Sequence, residues 1–281
     1  MYNNRISNNF GALFKTAVQD PRAMMTSQLR QAGFFRGASF AKDLAPAEGS
    51  ESQETTPEPP NPLREYFEAN KEGPGIFKWR HYFEIYDRHL ARFVGKDVHI
   101  VEIGVYSGGS LGMWRSYFGP RTRITGVDIM PACRQYENEY TKIMIGDQGD
   151  RSFWKRFRDE CPPADIVIDD GGHLSEQQIA TLEEMLPHVR PGGVYICEDI
   201  HGPQRNFGSV VNGLDNALNA YEIEEYGGFE NPVTVGATPF QSRIHSIHHY
   251  PFIVVIETHE HPIRRLESVR RGTQWQPLPE W

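Results

Sequence analysis

Cysteine is scarce in this sequence. The 281 residues contain three cysteines, Cys133, Cys161 and Cys197, and no two of them form a C-x-x-C pair. An odd and sparse set predicts neither a disulfide framework nor a cysteine zinc site, and it is typical of a reducing compartment. We therefore expect all three thiols to be structural.

Long apolar runs and an excess of basic residues are also lacking. No stretch approaches the roughly 20 consecutive apolar residues that a membrane-spanning helix needs, and the formal net charge is −8. An acidic chain is a poor match for nucleic acid or for an anionic membrane surface. These absences favour a small-molecule partner.

The amino-terminal sequence lacks the basic and then apolar layout of a secretory signal. Residues 1–42 contain Asp20 as their only acidic residue, among several lysines and arginines. This composition leaves an organelle transit peptide open beside the simpler expectation of a flexible tail. From the missing signals we expect a cytoplasmic protein.

A linker is predicted before the main domain. Residues 47–62 are rich in Pro, Ser, Thr and Glu and nearly free of apolar residues, so they cannot bury enough surface to offset the entropy of ordering. We expect a flexible tail and linker over 1–60, a helical extension over 61–95 and the main domain over 96–281. Apolar residues recur at helical spacing in the extension, which Gly73-Pro74-Gly75 divides into two helices.

Short apolar runs alternate with amphipathic segments beyond the extension. These runs predict strands over 98–104, 123–129, 141–147, 164–170 and 193–199. IHSIHHY and FIVVIET, with Pro251 between them, predict two closing strands. Strands that alternate with helices form a parallel sheet covered on both faces. The sequence therefore predicts an α/β, Rossmann-like fold with a mainly parallel seven-stranded sheet.

The loop after the first predicted strand is rich in glycine. The strand ends at Glu102 and Gly104, and Ser107-Gly108-Gly109-Ser110 follows at the start of a helix. Glycine lets the backbone turn tightly and approach a ligand, and such sheets bind ligands at the carboxyl ends of their strands. The loop lacks the G-x-G-x-x-G spacing of a dinucleotide site. The acid at Glu102 instead suits a cationic ligand, such as a sulfonium with its ammonium group.

Two later strand ends add polar groups to the same site. Asp128 ends the second strand, where it can accept both hydroxyls of a ribose, and Asp147 and Gln148 follow the third, within reach of an adenine amino edge. Taken singly, each acid could equally cap the next helix. In this order they predict an S-adenosylmethionine site, and an NAD site is the weaker alternative. The candidate cofactor contacts are Glu102, Gly104, Ser110, Asp128, Asp147 and Asp169.

The densest group of acids follows the fourth and fifth strands. Asp169-Asp170 precedes Gly-Gly-His173, and Glu198-Asp199 precedes Ile-His201. Since these strands are neighbours in a parallel sheet, their side chains should meet at one rim. Like charges resist shared ionisation, and a divalent ion would remove that conflict. Oxygen ligands suit Mg²⁺, with Mn²⁺ as a near substitute.

Each residue of this group has a predicted role. We expect Asp170, Glu198 and Asp199 to bind the ion, whereas Asp169 points the other way on its strand and is better placed to touch the cofactor. Each acid alone could also be a helix cap or a solvated turn residue. An unperturbed imidazole titrates at about pH 6.5, so His173 is a candidate general base.

Four motifs together resemble a known family. The runs VEIGVYSGGSLGMW, GVDI, IDDGGH and PGGVYICEDIH are similar to the metal-dependent sugar O-methyltransferases of natural-product pathways. That family includes the macrolide deoxysugar and rhamnosyl methyltransferases and is grouped with the cephalosporin-hydroxylase-like proteins. The resemblance covers roughly residues 76–258. It implies a class I methyltransferase fold and makes a homo-oligomer plausible.

The resemblance also implies site residues. By position, the family's Mg²⁺ ligands match Asp170, Glu198 and Asp199, and its base matches His173. Gly172 stands where relatives often have serine. The sequence HGPQRN follows the Glu-Asp pair where relatives often have an aromatic-rich stretch, and this second departure bears on the substrate.

These expectations combine into one function. The sequence predicts a Mg²⁺-dependent enzyme that moves a methyl group from S-adenosylmethionine to a hydroxyl of a sugar or glycosylated small molecule with vicinal hydroxyls. His173 would take the proton. A catechol-like acceptor and a non-catalytic cofactor-binding or metal-binding relative remain as alternatives.

The histidines near the carboxyl terminus suggest a second metal site. His245, His248 and His249 lie in one predicted strand, and His259 and His261 follow the next. Period-two alternation does not place the first three on one face of a strand. We therefore expect surface and strand packing for these histidines.

Overall fold

The computed structural model describes residues 21–44, 59–201, 206–220, 233–269 and 271–272. The chain divides into two units, Met1–Pro59 and Pro60–Trp281. The described part of the first unit contains helix α1, Pro21–Asp43. This helix was not predicted from the sequence. It is rich in Ala, Met, Gln and Arg, which have high helix propensity, but its large apolar side chains Phe34, Phe35 and Phe40 are exposed.

The second unit begins with two helices, in agreement with the helical spacing of the sequence. These are α2, Pro62–Ala69, and α3, Tyr82–Leu90. The Asn61 side chain caps α2 by accepting a hydrogen bond from the Arg64 N–H at 3.0 Å. In α3, Tyr82, Tyr86 and His89 are buried and share one face, because residues three and four apart are neighbours on a helix.

The remaining elements alternate along the chain. The strands are β1 (His99–Ile103), β2 (Arg123–Asp128), β3 (Thr141–Ile145), β4 (Ala164–Asp169), β5 (Val189–Cys197), β6 (Val233–Gly236), β7 (Ile244–Tyr250), β8 (Ile253–Thr258) and β9 (Arg265–Ser268). The further helices are α4 (Gly109–Phe118), α5 (Arg151–Glu160), α6 (Ser175–Met185), α7 (Asn206–Leu218) and α8 (Pro239–Arg243). Short 3-10 turns cover Ala91–Phe93, Pro131–Tyr136 and Leu186–His188.

Seven strands form one sheet in the order β3-β2-β1-β4-β5-β8-β7. Neighbouring pairs among β1 to β5 are parallel, β8 runs antiparallel to β5, and β7 runs antiparallel to β8. The strand order reverses between β1 and β4, which is the switch point where open α/β sheets bind ligands. The predicted Rossmann-like fold with a mainly parallel seven-stranded sheet is confirmed.

Apolar side chains cover both faces of the sheet. Tyr86, Trp114 and Phe118 belong to the core on one face, and Trp154 and Phe157 belong to the core on the other. Every residue of β1 is buried, as expected for a parallel strand between two helical layers. The three cysteines are buried and unpaired. No described helix has the length and apolar character needed to cross a membrane.

Two regions differ from the strands predicted. β5 begins at Val189, so Pro191 lies inside it. The register against β4 shifts between Ala164 and Ile166, which accommodates a residue without an N–H donor. β6 and β9 pair in a separate antiparallel sheet. That pairing was not predicted, because both strands have four residues and β9 is exposed throughout.

Candidate active site

A cavity of about 830 Å³ opens at the carboxyl ends of β1 to β5. Its walls come from the loops that follow these strands and from residues 75–79, which precede α3. The strand order therefore brings together most of the predicted site residues. Those that line the cavity are Gly104, Ser110, Asp128, Asp147, Asp170, His173 and Asp199.

The glycine loop passes directly against its neighbours. Gly104 has φ +92°, and a Cβ there would lie 2.0 Å from the carbonyl oxygen of Asp170. Gly108 has φ +73°, and a Cβ there would lie 2.7 Å from the ring of Tyr136. Both positions need a left-handed backbone and have no room for a side chain. Beyond them, Ser107 and Ser110 line the cavity.

Asp128 is held in a fixed orientation at the end of β2. Its Oδ2 accepts a hydrogen bond from the Tyr106 N–H at 2.9 Å, and its Oδ1 accepts one from the Met130 N–H at 2.8 Å. An ionised carboxylate has about four acceptor positions, so it can also accept ligand hydroxyls. Asp147 is exposed, and its Oδ1 accepts from the Gly149 N–H at 2.8 Å.

Three predicted site residues lie behind the cavity wall. Glu102, Asp169 and Glu198 are between 0% and 1% exposed. Glu102 Oε1 accepts from Trp114 Nε1 at 3.0 Å, and burial raises its pKa. Asp169 Oδ1 accepts from Gln148 Nε2 at 2.9 Å, and burial raises its pKa to about 7. Glu102 and Asp169 are therefore buried and hydrogen-bonded behind the residues that line the cavity. The sequence had predicted that both would contact the cofactor.

A lysine that was not identified from the sequence lies among the acids. Lys78 Nζ donates to Asp170 Oδ2 at 2.5 Å and to Glu198 Oε2 at 2.9 Å, and its side chain is 3% exposed. Burial alone would lower the pKa of Lys78, but attraction to Asp170 and Glu198 raises it above its ordinary value. Lys78 is therefore a buried ammonium ion that neutralises part of the negative charge of Asp170 and Glu198.

Helix α3 supplies donors to the same acids. Tyr86 OH donates to Glu198 Oε1 at 2.6 Å, and Tyr82 OH donates to Asp199 Oδ1 at 2.9 Å. Trp79 Nε1 also donates to Asp199 Oδ1 at 2.9 Å. Burial raises the pKa of Glu198, and Lys78 opposes that rise. The helical extension thus fixes the orientation of both acids that follow β5.

His173 lines the cavity close to Asp199. Its Nε2 is 3.7 Å from Asp199 Oδ2, and its side chain is 40% exposed. His173 and Asp199 have φ values of 56° and 55°, in the left-handed region that non-glycine residues seldom adopt. One donor atom from each of Asp170, His173 and Asp199 lies within 4.8 Å of the others. Two carboxylates and an imidazole at this spacing fit a divalent cation. Of the three predicted ligands, this set contains Asp170 and Asp199 but not Glu198, and it also contains His173, the predicted base.

Part of the chain matches a known protein family. Residues 101–200 match a family model described as a methyltransferase domain. Mycinamicin VI 2''-O-methyltransferase of Micromonospora griseorubida is 41% identical over 168 residues, which are 53% of this chain and 42% of the relative. A tetracenomycin rhamnosyl 2'-O-methyltransferase of Streptomyces olivaceus is 37% identical over 206 residues, 65% of this chain and 52% of the relative. The chain spans about half, or less, of the length of these curated relatives.

A solved structure also shares the fold. The MycE methyltransferase from the mycinamycin biosynthetic pathway, in complex with Mg and SAH, superposes with a TM-score of 0.57 at 29% identity. The match covers 71% of this chain and 55% of that one. The segment that matches the family model contains the loops that line the cavity after β1 to β4 and the acids that follow β5. Residues 101–200, on a Rossmann-like α/β fold, are therefore similar to this methyltransferase family.

Proposed function

We propose that the protein is an S-adenosylmethionine-dependent O-methyltransferase that acts on a sugar hydroxyl of a glycosylated small molecule. One observation carries this proposal: the glycine loop and Asp128 share a single cavity with the group formed by Asp170, His173 and Asp199. A methyl donor and an acceptor hydroxyl can therefore meet there. The names of the relatives support the acceptor class, since these act on mycinamicin and on a rhamnosyl tetracenomycin.

The cofactor would lie along the ends of β1 to β3. Asp128, whose oxygens are fixed by two backbone N–H groups, would accept the ribose hydroxyls. Asp147, after β3, would face the adenine. Gly104 and Ser110 line the cavity where α4 begins and leave room for the amino-acid part, while Glu102 and Asp169 support this wall from behind.

A divalent ion, Mg²⁺ or Mn²⁺, would bind to Asp170, Glu198 and Asp199. The first and last of these line the cavity, and their carboxylates are donors that such ions prefer. A bound ion lowers the pKa of a coordinated hydroxyl. Lys78 already contacts Asp170 and Glu198, so its ammonium competes with any ion for these two carboxylates.

His173 would act as the general base. Its Nε2 would take the proton of the acceptor hydroxyl while the oxygen bonds to the methyl carbon and the carbon–sulfur bond breaks. Asp199, 3.7 Å away, would stabilise the imidazolium that forms. A positioned base contributes about 10²–10⁴-fold to the rate, and orientation of the reactants about 7–11 kcal/mol.

Methyl transfer can be measured with S-adenosylmethionine labelled in its methyl group. The purified chain is incubated with a panel of glycosides and catechols, with Mg²⁺ or with EDTA. We expect label on glycosides, lost with EDTA and in His173→Gln, and retained in His261→Gln, which alters an exposed histidine. Label on catechols alone would replace the acceptor class. Cofactor binding without any transfer would indicate a non-catalytic relative.

A further inference from the structure

Histidines expected to pack on the strand surface meet a glutamate in the structure. His89 of α3, His248 of β7 and Glu257 of β8 each place one donor atom within 4.8 Å of the others. None of the three lines the large cavity. The group lies where α3 packs on the β7–β8 edge of the sheet, and the function proposed above does not use it.

A break in strand register brings a further histidine to this group. Ile244 pairs with Thr258 and Ser246 pairs with Glu257, so β7 has one extra residue at His245. Such a bulge re-aims a side chain, and His245 Nδ1 lies 4.0 Å from Glu257 Oε2. Period-two alternation, which separates these histidines in a regular strand, therefore does not apply to His245.

The fourth histidine of this region lies elsewhere. His249 Nε2 is 3.1 Å from Asp215 Oδ2 of α7, and the side chain is 47% exposed. The three β7 histidines therefore do not share one face, as expected, because His249 contacts α7 while His245 and His248 lie near Glu257. His249 therefore offers a matched control on the same strand.

The side chains of His89, His248 and Glu257 already lie close together, as potential metal ligands would. His89 Nδ1 is 2.8 Å from Glu257 Oε1, and these two side chains are 4% and 14% exposed. The rings of His89 and His248 have centroids 4.6 Å apart. Two imidazoles and one carboxylate thus converge in a partly buried place, where His89 Nε2 also lies 2.8 Å from Tyr250 OH and His248 Nε2 lies 2.9 Å from Ser246 Oγ.

We propose that His89, His248 and Glu257 bind Zn²⁺ or a similar transition-metal ion, with His245 as the fourth ligand. Imidazole and carboxylate donors in a set of four suit tetrahedral zinc and not Mg²⁺, which prefers oxygen. At zinc–ligand distances of about 2.0–2.2 Å, neighbouring donors lie roughly 3.3 Å apart. The donors of His89, His248 and Glu257 now lie within 4.8 Å of one another, so ion binding would require their side chains to rotate toward that spacing.

One positive charge already contacts this group. Arg92 Nη1 is 2.8 Å from Glu257 Oε1, and its side chain is 41% exposed. Because arginine has a long stem and a polar head that can stay in water, Arg92 can turn outward when an ion takes that oxygen. The bound ion would join α3 to the β7–β8 edge, and α3 also carries Tyr82 and Tyr86, the donors to the cavity acids.

Equilibrium dialysis of the full chain tests the site. After removal of metals with a chelator, the protein is dialysed against Zn²⁺, and bound zinc is counted in the unmutated protein, His248→Gln, His249→Gln and Asp170→Asn. We expect His248→Gln to lose one equivalent that His249→Gln retains. Asp170→Asn should retain it as well, which separates this site from the acids of the cavity. Equal zinc binding by His248→Gln and His249→Gln would overturn the proposal.

Cobalt reports the geometry of the same site. Co²⁺ should give the visible absorption of a tetrahedral nitrogen and oxygen site in the unmutated protein and in His249→Gln, but not in His248→Gln. If His248→Gln does not fold by circular dichroism, His245→Gln takes its place, because that side chain is 58% exposed. We expect it to weaken Zn²⁺ binding about tenfold or more, the scale seen when a metal site loses a supporting partner. Unchanged affinity and spectrum would count against the site.

Discussion

Replacing Lys78 by methionine tests the charge balance of the cavity acids. Methionine keeps an unbranched apolar stem but removes the ammonium that donates to Asp170 and Glu198. Removing one partner of a buried ion pair costs about 3–5 kcal/mol, because it leaves an uncompensated buried charge. We expect the free energy of unfolding of Lys78→Met to fall by about that amount, measured by urea denaturation without added divalent ions.

The same change should strengthen ion binding. Lys78 makes two charge-assisted hydrogen bonds, and each is worth about 1.5–3 kcal/mol. An ion that takes these carboxylates must break at least one of them. The lower value, about 1.5 kcal/mol, corresponds to roughly a tenfold change in dissociation constant. Lys78→Met should therefore bind Mg²⁺ at least about tenfold more tightly.

Isothermal titration with Mg²⁺ measures this affinity. Lys96→Met removes an exposed lysine and should change neither ion binding nor stability. Unchanged or weaker Mg²⁺ binding by Lys78→Met would refute the competition between ammonium and ion. An unchanged free energy of unfolding would refute the buried ion pair.

Three further variants test other parts of the molecule. Gly104→Ala should abolish S-adenosylhomocysteine binding in calorimetry, because its Cβ has no room, whereas Gly119→Ala, with a similar φ but open space, should not. Tyr86→Phe, which removes a 2.6 Å donor to Glu198, should lower the free energy of unfolding by about 1–3 kcal/mol in urea. Burial lowers the pKa of His99 below 6.5, so the stability due to its neutral form is present above pH 6.5 and decreases below it. His99→Gln should flatten that part of a melting-temperature profile.

A defined result would contradict each of these three predictions. Equal ligand binding by both alanine variants would mean that the close approach at Gly104 does not matter. A stability loss below a few tenths of a kcal/mol in Tyr86→Phe would mean that Glu198 finds another donor. An unchanged pH profile in His99→Gln would assign the acid-side loss of stability to other groups.

The strand ends made most of the site predictable. Apolar runs and the turns between them predicted the sheet, and parallel strands necessarily bring the residues at their carboxyl ends to one edge. That rule placed Asp128, Asp170, His173 and Asp199 on one cavity. It could not show that Glu102 and Asp169 are buried, because their burial depends on contacts with the distant residues Trp114 and Gln148.

Sequence patterns could not predict contacts between segments that are distant along the chain. Lys78 lies 92 residues before Asp170 and 120 before Glu198, in a loop without a local motif. The crowding of acids suggested an added cation, and no sequence pattern indicated that Lys78 also supplies a positive charge there. The bulge at His245 was equally hidden, because alternation along one strand carries no information about its register with the next.

The non-glycine residues with positive φ around the cavity affect the thermal stability of the protein. Of the non-glycine residues with positive φ in the described ranges, Tyr106, His173 and Asp199 line the cavity. Each such conformation costs about 1–3 kcal/mol, against a typical total stability of about 5–15 kcal/mol. Glycine at these positions would relieve the strain, which by itself favours a higher melting temperature, but it would delete the imidazole, the aromatic wall or the carboxylate that accepts from Trp79 and Tyr82. Thermal tolerance and the chemistry of the cavity thus compete for the same three positions.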